Sequence, residues 1–173
     1  MNPDALRISQ LFVHPVKSCG GLAVDEATLI DTGFEYDREW MVVDRHGDFV
    51  SQREFPRMAL IRPTVRHSDL VLRAPGMLAL HLQLDAVEGP CRARVWDDVL
   101  DAYDMGDLAA QWFSDFLGQP LRVARFDPEA RRLASARWTG DIEARTAFAD
   151  GFPLLVTSTA SLAELNRRLA AAG

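Results

Sequence analysis

The sequence predicts a mainly β fold: antiparallel hairpins forming a barrel-like domain, one capping α-helix, and a β-α fragment at the end. Three observations carry this. Short apolar runs recur up to Phe126 with Gly, Asp, Ser and Pro between them, the pattern of strands joined by tight turns. One interior stretch, 107–118, instead repeats its apolar residues at helical spacing. The chain of 173 residues is 48% hydrophobic and 25% charged, so it has the apolar material for a core.

The strands follow in order. Arg7 to His14 alternates and is broken by Pro15, and Cys19-Gly20-Gly21 marks a loop. Leu22 to Ile30 alternates next, and Asp31-Thr32-Gly33 turns the chain. Glu39 to Asp44 and Asp48 to Arg53 flank Arg45-His46-Gly47, a hairpin in which Gly47 is free to take positive φ. Met58 to Val65 and Leu70 to Arg73 form a second hairpin around Ser68-Asp69, and Met77 to Leu82 follows. Arg92 to Trp96 and Val99 to Tyr103 make a third around Asp97-Asp98. The helix starts at Asp107 as N-cap and stops at Gly118, with Leu108, Trp112 and Phe116 on one stripe. Leu121 to Phe126 is the last strand. Residues 1–126 thus read as one β-domain, and barrel closure is the economical way to remove its edges.

Residues 127–147 lose the periodicity and read as a linker or long loop. In 148–173, Pro153 to Thr157 has the composition of a short buried strand. Ser161-Leu162-Ala163-Glu164 is a capping box opening a helix with Leu162, Leu165 and Leu169 on one face. One strand and one helix cannot bury their own apolar faces, so a second domain is expected to continue after Gly173.

Composition excludes several classes. A net charge of -6 argues against a general nucleic-acid binder. No apolar run has the length of a membrane span. Met1-Asn2-Pro3-Asp4 lacks the basic and apolar regions of a signal peptide. Cys19 and Cys91 form neither a disulfide framework nor a CxxC pair, so a cytoplasmic location is expected. His14, His46, His67 and His81 show no metal-ligand spacing.

Two places can carry chemistry. The loop Pro15-Val16-Lys17-Ser18-Cys19-Gly20-Gly21 gathers an amine, a hydroxyl, a thiol and two permissive backbone positions, a set that suits a phosphate or other anion. Lys17 is the only lysine beside 18 arginines, as if a compact ammonium were needed there. Most such loops are ordinary turns, and the residues alone leave both readings open. Arg38 and Arg53, on the two arms of one predicted hairpin, can fork onto a common anion, or pair with Asp37, Glu39, Asp44 or Glu54 at the surface. Cys19 and Cys91 read as structural thiols.

Taken together, Val13 to Gly21, Tyr36 to Asp44, Gln52-Arg53 and Pro56 to Ile61 resemble the N-terminal β-barrel domain of the MOSC family. Val95 to Asp98 and the helix with Trp112 fit the same pattern, and Phe148 to Pro153 with Ser161 to Leu169 resembles the opening of the MOSC domain proper. The resemblance implies a protein that binds the molybdenum cofactor (molybdopterin) and reduces N-hydroxylated compounds, as the mitochondrial amidoxime-reducing component and its bacterial counterparts do. Molybdenum-cofactor sulfurase is related in its C-terminal part. By that resemblance Lys17, Ser18 and Arg38 meet the phosphate side of the pterin, and Gly151 and Phe152 fall where the MOSC half begins to line the site. Implied partners are the C-terminal MOSC domain and an iron–sulfur or flavin electron donor. In the family a cysteine of that later domain ligates molybdenum, and neither Cys19 nor Cys91 occupies its place. The chain alone is therefore expected to be inactive. The competing reading is a non-catalytic β-barrel module for a phosphorylated ligand or a partner protein.

Overall fold

A computed structural model describes residues 6–173. The opening residues Met1–Asp4, where no leader was expected, lie outside them.

The fold is mainly β and antiparallel. The strands are β1 (Leu11–Val13), β2 (Leu22–Val24), β3 (Leu29–Ile30), β4 (Gly33–Phe34), β5 (Trp40–Val43), β6 (Arg62–Val65), β7 (Asp69–Arg73), β8 (Leu80–Gln83), β9 (Gly89–Val95), β10 (Asp98–Asp104) and β11 (Arg122–Phe126). The helices are α1 (Gly106–Leu117), the single turn α2 (Ala136–Thr139) and α3 (Thr159–Ala172). The largest sheet has the order β5-β11-β10-β9, and a three-stranded sheet runs β6-β7-β8.

Strand alternation builds two cores from the larger sheet. On β5, Trp40 and Val42 face the first core, while Met41 and Val43 face the second. On β11, Val123 faces the first, and Ala124 and Phe126 the second. The first core is closed by α1, through Ala109, Trp112, Phe113 and Phe116, and by Leu70, Leu72, Leu80 and Leu82 of the smaller sheet. The second is closed by the chain after β11, through Ala147, Phe148 and the partly buried Ala130. Residues 127–147 are thus a long loop laid on the sheet, with an antiparallel bridge between Leu133 and Arg145.

Several local expectations shift, each for a physical reason. The stretch opening at Met58 is a 3-10 turn, Pro56–Leu60, before β6 begins; Pro56 presets the helical φ of its first residue. Leu22 to Ile30 is two short strands separated by residues 25–28. Val95 pairs with Asp98, so the third hairpin turns at Trp96 and Asp97, with Trp96 at φ 55°. Helix α1 begins at Gly106 with no side-chain cap. It ends as expected at Gly118, whose φ of 81° is left-handed. Leu108 points to solvent, and the buried stripe is Ala109, Trp112, Phe113 and Phe116. Helix α3 is capped by Ser158, whose hydroxyl accepts from the Ser161 N–H at 3.0 Å. The capping pair therefore lies three residues before the predicted box. Pro153 to Thr157 is not a strand, and Leu155 and Val156 are exposed. A strand exists only through a partner, and none among the described residues pairs with it.

Gly47 is the turn glycine of the first hairpin, at φ 82°. A Cβ there would lie 2.7 Å from the carbonyl oxygen of Arg92. Gly47→Ala is expected to cost at least roughly 1–2 kcal/mol, the penalty for a side chain in left-handed backbone, before that contact is counted. Urea denaturation checks it; a midpoint equal to wild type would show that the turn relaxes freely.

Candidate functional site

Two loops are cross-braced at the end of β1. The Arg38 N–H donates to the His14 carbonyl (2.8 Å), the Lys17 N–H to Trp40 (2.7 Å), and the Trp40 N–H to Pro15 (3.1 Å). The turn at Lys17 closes through the Cys19 N–H on the Val16 carbonyl at 3.0 Å, with Ser18 at φ 66°. Arg38 is also left-handed, at φ 52°. Non-glycine residues hold such backbone only where the surroundings impose it, and such positions cluster at binding sites. Gly20 lets the loop close, since a Cβ there would meet the Ile61 carbonyl at 2.8 Å.

Lys17 is buried, with 6% of its side chain exposed. Its ammonium donates to the Phe148 carbonyl at 2.8 Å and to Asp150 Oδ1 at 2.6 Å. The Phe49 ring centroid lies 5.3 Å away. Burial pulls the Lys17 pKa below its ordinary value, while the hydrogen bond and charge of Asp150 oppose this. For Asp150 burial acts upward, but the hydrogen bond and charge of Lys17, the Trp96 indole and the Arg53 charge prevail and hold its carboxyl below the usual range. Trp96 Nε1 donates to the same Oδ1 at 3.1 Å. The Arg53 guanidinium carbon sits 5.5 Å from the Trp96 ring centroid.

Arg38 reaches the same stretch of chain. Its Nη2 donates to the Pro153 carbonyl at 2.7 Å, its own carbonyl accepts from the Phe148 N–H at 3.1 Å, and its Nη1 pairs with Asp37. Asp37 is buried and also accepts from the His14 N–H at 2.7 Å. Burial raises the Asp37 pKa despite these partners. The surface ion pairing considered for Arg38 is thus a half-buried pair with Asp37.

The structure therefore brings Lys17 and Arg38 together around residues 148–153. Ser18 lies beside them, half-buried, its carbonyl accepting from Gln52 Nε2 at 2.7 Å. Gly151 and Phe152 are exposed on the segment that Lys17 and Arg38 hold. Cys19 is buried and burial pushes its thiol up, away from reactivity. Among the described residues no group of His, Cys, Asp or Glu is arranged to hold a metal ion.

Four participants escaped sequence reasoning: Trp96, Arg132, Phe148 and Asp150. Phe148 is fully buried and meets Phe126 edge-on, with centroids 5.4 Å apart, which anchors the segment. Arg132 is buried and donates to the Ala147 carbonyl at 2.8 Å, to the Ala149 carbonyl, to the Asp150 carbonyl at 3.1 Å and to Asp98 Oδ2 at 2.7 Å. The usable signal was that a buried lysine needs an anion partner, and Asp150 is the one acid in the Phe148 to Pro153 stretch.

Over 171 residues, 94% of this chain, it is 36% identical to "Mitochondrial amidoxime-reducing component 1" of Mus musculus, of which the match covers 50%. It is 34% identical over 171 residues to "Mitochondrial amidoxime reducing component 2" of Bos taurus, covering 94% of this chain and 51% of that protein. It is 30% identical over 171 residues to "Molybdenum cofactor sulfurase" of Bos taurus, covering 94% of this chain and 19% of that protein. The chain thus spans about half the length of the amidoxime-reducing relatives it matches. The family model described as "MOSC N-terminal beta barrel domain" matches residues 5–120, and the chain belongs to that family.

Proposed function

We propose that this chain forms the phosphate-holding part of a molybdenum-cofactor site in a MOSC-type oxidoreductase. The carrying observation is the Lys17 ammonium, buried inside the protein yet paired 2.6 Å from a carboxylate whose own side chain is 68% exposed. A buried cation with an exposed counter-ion is a place where one anion can take over from another. The donor set fits a phosphate. An ammonium, a guanidinium, a hydroxyl and an indole N–H are charge-assisted or neutral donors to its oxygens.

In this reading Lys17, Ser18 and Arg38 orient the phosphate end of the cofactor, and Gly151 and Phe152 border it. When bound, the cofactor supplies two-electron chemistry at molybdenum. The metal ligand and the rest of the pocket come from a MOSC domain following this one. The relatives' names support amidoxime-type substrates for the whole protein. An iron–sulfur or flavin protein is the electron donor this reading takes from the family resemblance alone. The free thiols of Cys19 and Cys91 suit a reducing, cytoplasmic setting.

The test is cofactor loading of the whole protein that carries this chain, produced in a host that makes the cofactor. Lys17→Met and Arg38→Met are each expected to lower the molybdenum-to-protein ratio at least tenfold under matched purification. Full loading in both variants would remove these residues from the site. Lys17→Met, an apolar replacement of similar length, is the fair variant. Because Lys17 is buried, Lys17→Ala would also open a cavity, so it would not leave stability untouched as a surface residue would.

A further inference from the structure

We propose that the Asp150 carboxylate is a built-in occupant of the anion position at Lys17, that Trp96 and Arg53 complete that position, and that a phosphate group enters by displacing Asp150. The inference rests on the reading of Lys17 as a phosphate ligand.

The geometry is that of an occupied anion site. One oxygen, Asp150 Oδ1, accepts from both Lys17 Nζ at 2.6 Å and Trp96 Nε1 at 3.1 Å. The Trp96 indole is aimed by a backbone held at φ 55°, and its ring packs edge-on against Phe49 with centroids 4.9 Å apart. Arg53 stacks on that ring and brings a second positive charge near the same carboxylate. Both Trp96 and Arg53 are open to solvent on one side, within reach of an incoming anion.

The occupant is replaceable. Lys17 is walled in, whereas the Asp150 side chain is 68% exposed. The next residue, Gly151, has open space where its side chain would be. The Asp150 carboxylate can therefore turn out into water once another anion takes its place beside Lys17. A bare ammonium in a buried site is costly, so the empty site needs a resident anion. A phosphate brings more charge and more acceptor oxygens than the carboxylate it replaces. Asp150 therefore keeps the site formed when empty and competes with the ligand, which sets the affinity and favours anions of higher charge.

The experiment titrates inorganic pyrophosphate into the intact protein by calorimetry. Asp150→Asn and Asp150→Ser are each expected to bind about tenfold more tightly than wild type, because the competitor is gone. Adding Trp96→Phe or Arg53→Met to Asp150→Asn is expected to reverse most of that gain. Equal or weaker binding in both Asp150 variants, with binding lost in Lys17→Met, overturns this inference and leaves the phosphate reading of Lys17 intact. Unchanged binding in Lys17→Met overturns both.

A second measurement uses wild type alone and does not depend on any variant folding. The indole N–H resonance of Trp96 loses its carboxylate partner on saturation with pyrophosphate and is expected to shift. The labelled Lys17 side chain, assigned by the loss of its signal in Lys17→Met, is expected to show a raised pKa in the complex. An indole resonance that stays in place at saturation overturns the displacement.

Discussion

Trp112→Ala lowers the unfolding free energy by about 3–5 kcal/mol, the usual cost of removing a large buried aromatic. For a chain of this size that is a fall in Tm of roughly 6–20 °C. The side chain is 7% exposed and lies in the first core. Its ring meets Phe113 edge-on, with centroids 5.0 Å apart, and stacks near Phe116 at 6.0 Å. Its Nε1 donates to the Leu78 carbonyl at 2.7 Å, tying α1 to the segment before β8. Two further variants separate the parts. Trp112→Phe keeps most of the apolar area and loses the hydrogen bond, an effect of about 1 kcal/mol. Leu108→Ala, on the solvent side of the same helix, is expected to fall within about 0.5 kcal/mol of wild type. A Trp112→Ala protein that melts like wild type would show that α1 does not close the core.

The contrast between Trp112 and Leu108 shows what the sequence could reveal. Both fit an apolar stripe of helical spacing, and the helix itself and its Gly118 stop were legible from that spacing. Which edge of the stripe is buried depends on the sheet beneath, and no local pattern states it. The turn at Gly47 and the hairpin around Ser68-Asp69 were legible because turn residues and alternation agree there. The arm expected over Asp48 to Arg53 is only a bridge from Phe49 to Val43, and residues 52–54, Arg53 among them, form a turn instead of a strand. Pro153 to Thr157 was misread because apolar composition signals burial only if a partner surface is at hand. The site divides in the same way. The loop at Lys17 and the arginine at position 38 were visible as clustered donors. Phe148, Asp150, Trp96 and Arg132 come from three separated stretches, and only the fold brings them together. Asp150 follows β11 by more than twenty residues and returns to β1 because Phe148 fills the second core.

Arg132→Met is the other large effect, and it arises in the part of the chain with the weakest sequence pattern. Residues 127–147 carry no periodicity, yet Arg132 is only 5% exposed in its side chain. Its planar fork serves three carbonyls, those of Ala147, Ala149 and Asp150, together with the Asp98 carboxylate. Among the described residues no neighbouring strand satisfies those carbonyls, so one guanidinium takes the place of a sheet edge. An unsatisfied buried acceptor costs about 1–3 kcal/mol. Asp98 is half exposed, so its ion pair adds little once solvent screening is counted. The expected loss is about 3 kcal/mol, read as a drop in Tm of roughly 6–12 °C. Arg132→Lys is expected to recover little of it, since a point charge cannot reach three carbonyls and a carboxylate at once.

The same substitution has a signature that general destabilisation does not produce. Burial depresses the Lys17 pKa most, and the Arg132 charge adds to it. Removing the guanidinium therefore moves the Lys17 pKa toward the ordinary value of 10.5, measured in the folded protein below its melting transition. The sign for stability follows from linkage. A lysine depressed in the fold loses its proton earlier than in the unfolded chain. Between its folded pKa and the ordinary one, the unfolded state binds more protons, and wild-type stability gains from this group as pH rises. In Arg132→Met that window narrows and the gain shrinks. A variant with lowered Tm and an unmoved Lys17 pKa would make Arg132 a strut for the loop alone; movement of both ties the loop to the anion position through one side chain.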